Sequence, residues 1–301
     1  MTILIGTDFS ENSRGALRLG VRLGKLRDEE VVLVHVVDLA ADDNAWRVLV
    51  ESPEDLERSA RMEARQELEA MVQEVLSEEE HQGLQVKVLL GNPIDELLEV
   101  ADEYEEVLFV CGTRGKNRLQ QFFLGSTAHR LVRRLKDAAI LVPPAEELDP
   151  GAWEKIAVAM DFSAASRDAL RHAYGMAEQV GATLHVLHGV VLPEVTAFEA
   201  TVTSTMPSLQ ELLKERHGQI TKILAEEGIE GQDVVVEVLT GSPAPMLREY
   251  VEREGVDLLV MGTHGRRGWS RLFLGNTAER LLRRTPCPLY LVRGSAKAKA
   301  E

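Results

Sequence analysis

Apolar residues in this chain come in short, β-branched runs separated by longer amphipathic stretches. Ile3-Leu-Ile5 stops at Gly6-Thr-Asp8, and Ser10 then offers an N-cap for a helix through about Leu26. Val31 to Val37 is nearly all apolar, the pattern of a parallel strand covered on both faces by helices. Asp38 to Glu51 shows no clear pattern. Ser52 and Pro53 then open a long helix predicted to reach about Glu80, whose many Glu and Arg residues read as a solvated face. Leu84 to Leu90 alternates as a third strand, and Asn92 and Pro93 start a short helix. Val107 to Cys111 and Ala138 to Val142 give two further strands around a helix from Thr127 to about Lys136.

The same order then returns. Ile156 to Met160 is a strand ending in Asp161-Phe-Ser163, followed by a helix to about Val180 and a strand from Thr183 to His188. A variable stretch runs to Pro207. Next come a helix from about Ser208 to Glu227, a strand from Val234 to Leu239, a helix after Gly241-Ser-Pro243, and strands at Leu258 to Met261 and Pro288 to Val292. Residues 1–143 and 154–294 are therefore predicted as two domains, with 144–153 as linker and 295–301 as a disordered tail. Strands alternating with helices require right-handed crossovers. The expected architecture is α/β, two tandem open parallel five-stranded sheets with helices on both faces. Ligands in such sheets bind beyond the strand C-termini where the strand order reverses, and Asp8 and Gly112 both fall on that edge.

The clearest repeat is a glycine loop. Cys111-Gly-Thr-Arg-Gly-Lys-Asn-Arg through Leu124-Gly-Ser-Thr127 returns 150 positions later as Met261-Gly-Thr-His-Gly-Arg-Arg-Gly through Leu274-Gly-Asn-Thr277. Gly112 and Gly262, and three residues later Gly115 and Gly265, would let the chain turn sharply and let a ligand approach the backbone without meeting a Cβ. Gly125-Ser-Thr127 and Gly275-Asn-Thr277 sit where the next helix begins, and the free N–H groups of a first helical turn suit an anion such as phosphate. Two loops suggest two anion pockets. The plainer alternative is that the glycines only reverse the chain. Arg114, Lys116 and Arg118, with Arg266, Arg267 and Arg271, either neutralise phosphate or face water.

Composition narrows the partners. The chain has 301 residues, 45% apolar and 28% charged, and a net charge of −15, which disfavours nucleic acid. An anionic ligand must then be held by local donors. Cys111 and Cys287 form no Cys-x-x-Cys pair and are expected to be buried thiols. No apolar run approaches a membrane span, the chain begins directly with a strand, and a cytoplasmic location is expected.

Several chemistries are unsupported. Neither loop is a Gly-x4-Gly-Lys-Ser/Thr P-loop, and no Gly-x-Ser-x-Gly elbow occurs. Gly91-Asn-Pro and Val142-Pro-Pro lack the Asp and Lys of a phosphoacceptor receiver. His35, His185 and His188 lie in strands and are expected to be packed and hydrogen-bonded, whereas His264, opposite Arg114 in the repeat, touches a ligand or faces water.

Asp8 after the first strand, the Gly112-x2-Gly115-x9-Gly125-Ser126 spacing and Thr285-Pro-Cys-Pro288 before the last strand resemble the universal stress protein family. The resemblance covers nearly the whole chain as two tandem domains. It implies an adenine-nucleotide α-hydrolase-like fold in which loop glycines and the following Ser or Thr hold the phosphates of ATP, ADP or AMP, and the first-strand Asp faces the adenosine. By position it carries to Asp8, Val36, Gly112, Gly115, Gly125, Ser126 and Thr127, and to Asp161, Gly189, Gly262, Gly265, Gly275, Asn276 and Thr277. Arg114 and His264, at matching places in the loops, complete the expected site. Asn276 departs from the usual Ser or Thr, and Gly189 from the apolar Val36; an Asn still caps a helix and donates to phosphate.

The resemblance leaves Mg²⁺ beside the phosphates open. It also implies pairing of the two halves through their last strands, Leu289 to Val292 among them, and leaves a homodimer open. The expected function is a nucleotide-dependent sensor or regulator with at most slow ATP hydrolysis. The alternative is a stress-linked scaffold acting through protein contacts or another small ligand.

Overall fold

A computed structural model describes residues 1–39, 52–113, 126–144, 149–191, 208–229, 231, 233–263 and 274–293. Apart from Pro288–Tyr290, which group with the first unit, the described residues divide into two compact units between Ala152 and Trp153. The expected disordered tail at 295–301 lies outside the described residues, as does most of both stretches that lack a pattern.

The first unit contains β1 (Thr2–Thr7), α1 (Glu11–Arg27), β2 (Glu30–Val37), α2 (Pro53–Val75), β3 (Gln85–Leu90), α3 (Pro93–Asp102), β4 (Val107–Gly112), α4 (Ser126–Arg134) and β5 (Ala138–Val142). Its strands lie in the order β3-β2-β1-β4-β5, and each registered pair is parallel. β1 and β5 are buried at every position, and β4 at all but Gly112. That unbroken burial is why these runs read as continuously apolar rather than alternating: helices cover both faces.

The second half of the chain repeats the plan with β6 (Lys155–Ala159), α5 (Ala164–Val180), β7 (Thr183–Val190), α6 (Leu209–Glu226), β8 (Val234–Thr240), α7 (Pro243–Glu254), β9 (Leu258–Gly262), α8 (Asn276–Leu282) and β10 (Leu289–Val292). The order is β10-β9-β6-β7-β8. In each unit the chain winds outward through three strands and then returns to the other side of the first. The reversal falls between β1 and β4, and between β6 and β9, which is where a crevice opens in a doubly wound sheet.

Helix starts follow local capping chemistry. Ser10 accepts from Ser13 N–H at 3.3 Å, Ser52 from Asp55 N–H at 3.2 Å, Asn92 from Ile94 N–H at 3.0 Å and Ser163 from Ser166 N–H at 3.2 Å. Ser208 and Glu211 form a reciprocal capping box.

One boundary differs from the expectation. α2 ends at Val75, five residues before Glu80, because Leu76 turns extended at φ −117° and ψ 145°. Ser77 then closes a turn of its own. Glu80 Oε2 accepts from Ser77 N–H at 2.9 Å, and Oε1 accepts from Arg22 Nε at 2.9 Å, so local bonds replace another helical turn.

Those donors, the Ser77 amide first and the Arg22 guanidinium next, hold the Glu80 carboxyl at about 2 against an ordinary 4.5. A carboxyl depressed on folding stabilises the native state above its unfolded pKa, and that share is lost as pH falls through the folded value. Glu80→Gln should therefore cost stability at pH 6, and its deficit against the unmodified protein should shrink between pH 4.5 and about 2. Denaturant midpoints measured across that range would show it; a deficit independent of pH would contradict the assignment.

Candidate functional site

Each unit places an Asp-Phe-Ser turn at the C-terminal end of its first strand. Ser10 N–H donates to Asp8 Oδ1 at 3.1 Å, and Ser163 N–H donates to Asp161 Oδ1 at 3.0 Å, with Ser163 Oγ also donating to that oxygen. Both carboxylates are half-buried. Both turns require a left-handed phenylalanine, Phe9 at φ 61° and Phe162 at φ 66°. A bulky residue there is strained by about 1–3 kcal/mol, which neighbouring contacts must offset.

The glycines ending β4 and β9 stand beside these turns. Gly6 pairs with Cys111 and Ala159 with Met261, so the residues that follow flank Gly112 and Gly262. A Cβ on Gly112 would lie 2.7 Å from Asn12 Cβ and 2.9 Å from Asn12 C. On Gly262 it would lie 2.8 Å from Ala165 C and 2.9 Å from Ala165 Cβ. The missing side chains are thus accounted for by the first turns of α1 and α5, which seat on the strand ends. A ligand approaching the backbone is not needed to explain them.

Val36 is buried in β2, one residue beyond the pairing of His35 with Thr7. An apolar side chain and a carboxylate therefore stand on neighbouring strands. In the second unit Gly189 leaves that place without a side chain, and Met246 of α7 fills it: a Cβ on Gly189 would be 3.0 Å from Met246 Sδ. The apolar character lost at one position is restored from another. Sequence reasoning missed Met246 because its repeat counterpart is the charged Glu96.

Gly275 N–H donates to the Thr263 carbonyl at 2.9 Å, which brings the start of α8 back to the end of β9. Gly275 caps α8 with no side-chain hydrogen bond, so the first-turn N–H groups are not taken by a capping side chain. Asn276 is exposed and Thr277 half-buried. Ser126 opens α4 and Thr127 follows it, half-buried. Arg114, Gly115, Gly125, His264 and Gly265, with Lys116, Arg118, Arg266, Arg267 and Arg271, lie outside the described residues.

The strand histidines are packed, as expected. His35 Nδ1 lies 2.8 Å from the Thr7 carbonyl oxygen, and His188 Nδ1 lies 2.7 Å from that of Met160. His185 Nδ1 is 2.8 Å from Tyr250 Oη, away from the Asp turn. Burial first, and the Lys155 charge next, push the His185 pKa below its ordinary 6.5. Among the described residues no group of three or more His, Cys, Asp or Glu is arranged to hold a metal ion. Nor is any helix of the described residues long and apolar enough to cross a membrane.

The sequence profile of the universal stress protein family matches residues 1–143 and 152–293. A universal stress protein of Mycolicibacterium smegmatis is 26% identical over 97% of this chain and 96% of its own length. Universal stress protein MJ0531 of Methanocaldococcus jannaschii is 32% identical over 48% of this chain and 85% of its own length. The crystal structure of a universal stress protein from Archaeoglobus fulgidus superposes with a TM-score of 0.69, at 21% identity, over 98% of this chain and 97% of the other.

Both cysteines are buried and free. Burial pushes the Cys111 thiol up to about 12, and the nearby Asp8 charge adds to it; burial likewise pushes Cys287 up to about 12. Only the thiolate is nucleophilic, so at pH 8 both buried thiols are held in their unreactive protonated form. A disulfide reagent should label neither cysteine in the native protein and both in denaturant. Rapid native labelling of Cys111 would contradict its placement beneath the Asp8 turn.

Proposed function

Because the chain belongs to the universal stress protein family, we propose that it binds an adenine nucleotide at the C-terminal edge of each sheet and acts as a nucleotide-dependent sensor or regulator. The observation that carries the reading is the paired edge: a carboxylate in a fixed turn, Asp8 or Asp161, beside a strand-ending glycine at the point of strand reversal. A carboxylate accepts from the hydroxyl or amino donors of an adenosine. Val36, and Met246 beside Gly189, offer an apolar surface to the base. Phosphates would extend toward the starts of α4 and α8, which begin at Ser126 and Asn276. Mg²⁺ accompanying them would take its ligands mainly from phosphate oxygens and water, which is how that ion commonly binds.

One observation favours a second reading. Helix packing suffices to account for Gly112 and Gly262, so these two glycines would persist in a scaffold that binds no nucleotide and acts through protein contacts or another small ligand.

Calorimetric titration with ATP, AMP and GTP separates the two. The nucleotide reading expects adenine-dependent heat with two sites per chain. Asp8→Ala should weaken one site and Asp161→Ala the other, each by about tenfold or more, as befits the loss of a hydrogen bond to a charged acceptor. No heat and no thermal shift with any nucleotide would favour the scaffold.

A further inference from the structure

The left-handed phenylalanines raise a question that the nucleotide reading does not answer. Glycine would adopt this backbone without strain, yet both units use a large aromatic residue. In both, the ring meets a histidine of the next strand: Phe9 and His35 at 4.2 Å between centroids, Phe162 and His188 at 4.5 Å. The same imidazole reaches the carbonyl of the residue before the aspartate, Thr7 or Met160. A carbonyl oxygen only accepts, so Nδ1 carries the proton. One flat side chain thus grips the turn twice, by a hydrogen bond before the aspartate and by ring contact after it.

We infer that His35 and His188 are positioning residues that fix the aim of Asp8 and Asp161 by clamping the turn that carries each carboxylate. The inference rests on the nucleotide reading for its effect on binding, and on geometry alone for the clamp. Further contacts hold the turn in the first unit, among them Ser10 N–H donating to Asp8, Ser13 N–H donating to Ser10 Oγ, and Phe9 N–H donating to Thr7 Oγ1 at 3.1 Å. In the second unit Met160 stands in place of Thr7, and its thioether accepts from Ser166 Oγ at 3.2 Å.

The test replaces each histidine in the full chain by Phe, which keeps a ring but removes the donor, and by Asn, whose amide can donate to the same carbonyl. ATP titration and amide hydrogen exchange at Ser10 and Ser163 are the readouts. His35→Phe should speed exchange at Ser10 and weaken ATP at the first edge by about tenfold, and His188→Phe should do the same at Ser163 and the second edge. The Asn variants should recover most of both. In an Asp8→Asn background, His35→Phe should weaken ATP no further, a coupling that a general loss of stability would not produce. Unchanged exchange at Ser10 in His35→Phe overturns the clamp, and altered exchange with unchanged ATP affinity overturns its role in binding. If the unmodified protein binds no ATP, the nucleotide reading fails, and Ser10 exchange still decides the clamp.

Discussion

Each unit seats the start of a helix flush against the end of a central strand, and at that end the strand carries no side chain. In both units the first turn of the helix after the Asp-Phe-Ser turn, at Asn12 or Ala165, sits within van der Waals distance of a strand-ending glycine. This contact decides where everything else at the edge lies. It brings a turn near the start of each unit against a strand end about a hundred residues later in the chain, across the line where strand order reverses. The carboxylate-bearing turn and the strand leading to the glycine loop become neighbours because the helix between them has only one place to start.

What surrounds the contact is rigid. β1, β4 and β5 are buried almost throughout, and the parallel register runs without a break from Thr2 to Gly6 along β1 and β4 and to Gly112 along β4 and β5. Close-packed interiors resist small shifts, so a turn anchored on them can keep a strained phenylalanine in place. The strain, the histidine bond and the seryl cap meet in one corner, repeated in both units with Met160 in the place of Thr7 and Ala165 in that of Asn12. The proposed nucleotide would meet an edge supported this way already ordered.

Much of this was legible in the sequence where local rules govern. Ser10, Ser52 and Asn92 cap helices because their side chains reach amides two or three residues away, and the strand runs are apolar because both faces are covered. The end of α2 was not legible, since Ser77 and Glu80 outcompete another turn only once Arg22 is brought near. The reason for Gly112 was hidden for the same cause: Asn12 lies a hundred positions away. Gly189 looked like a lost contact until α7 placed Met246 over it. Phe9 and Phe162 ran against local preference, and the histidine that each ring meets lies on the next strand, more than twenty positions away in the sequence.

The most direct measurement is calorimetric unfolding of Gly112→Ala together with its ATP titration. One methyl group placed 2.7 Å from Asn12 Cβ and 2.9 Å from the Asn12 backbone must displace the start of α1. Overpacking of that kind costs about 1–3 kcal/mol, and the displaced turn should weaken ATP at the first edge while leaving the second intact. Native stability with both edges unaltered would show that the helix does not depend on the bare strand end, and would contradict the account.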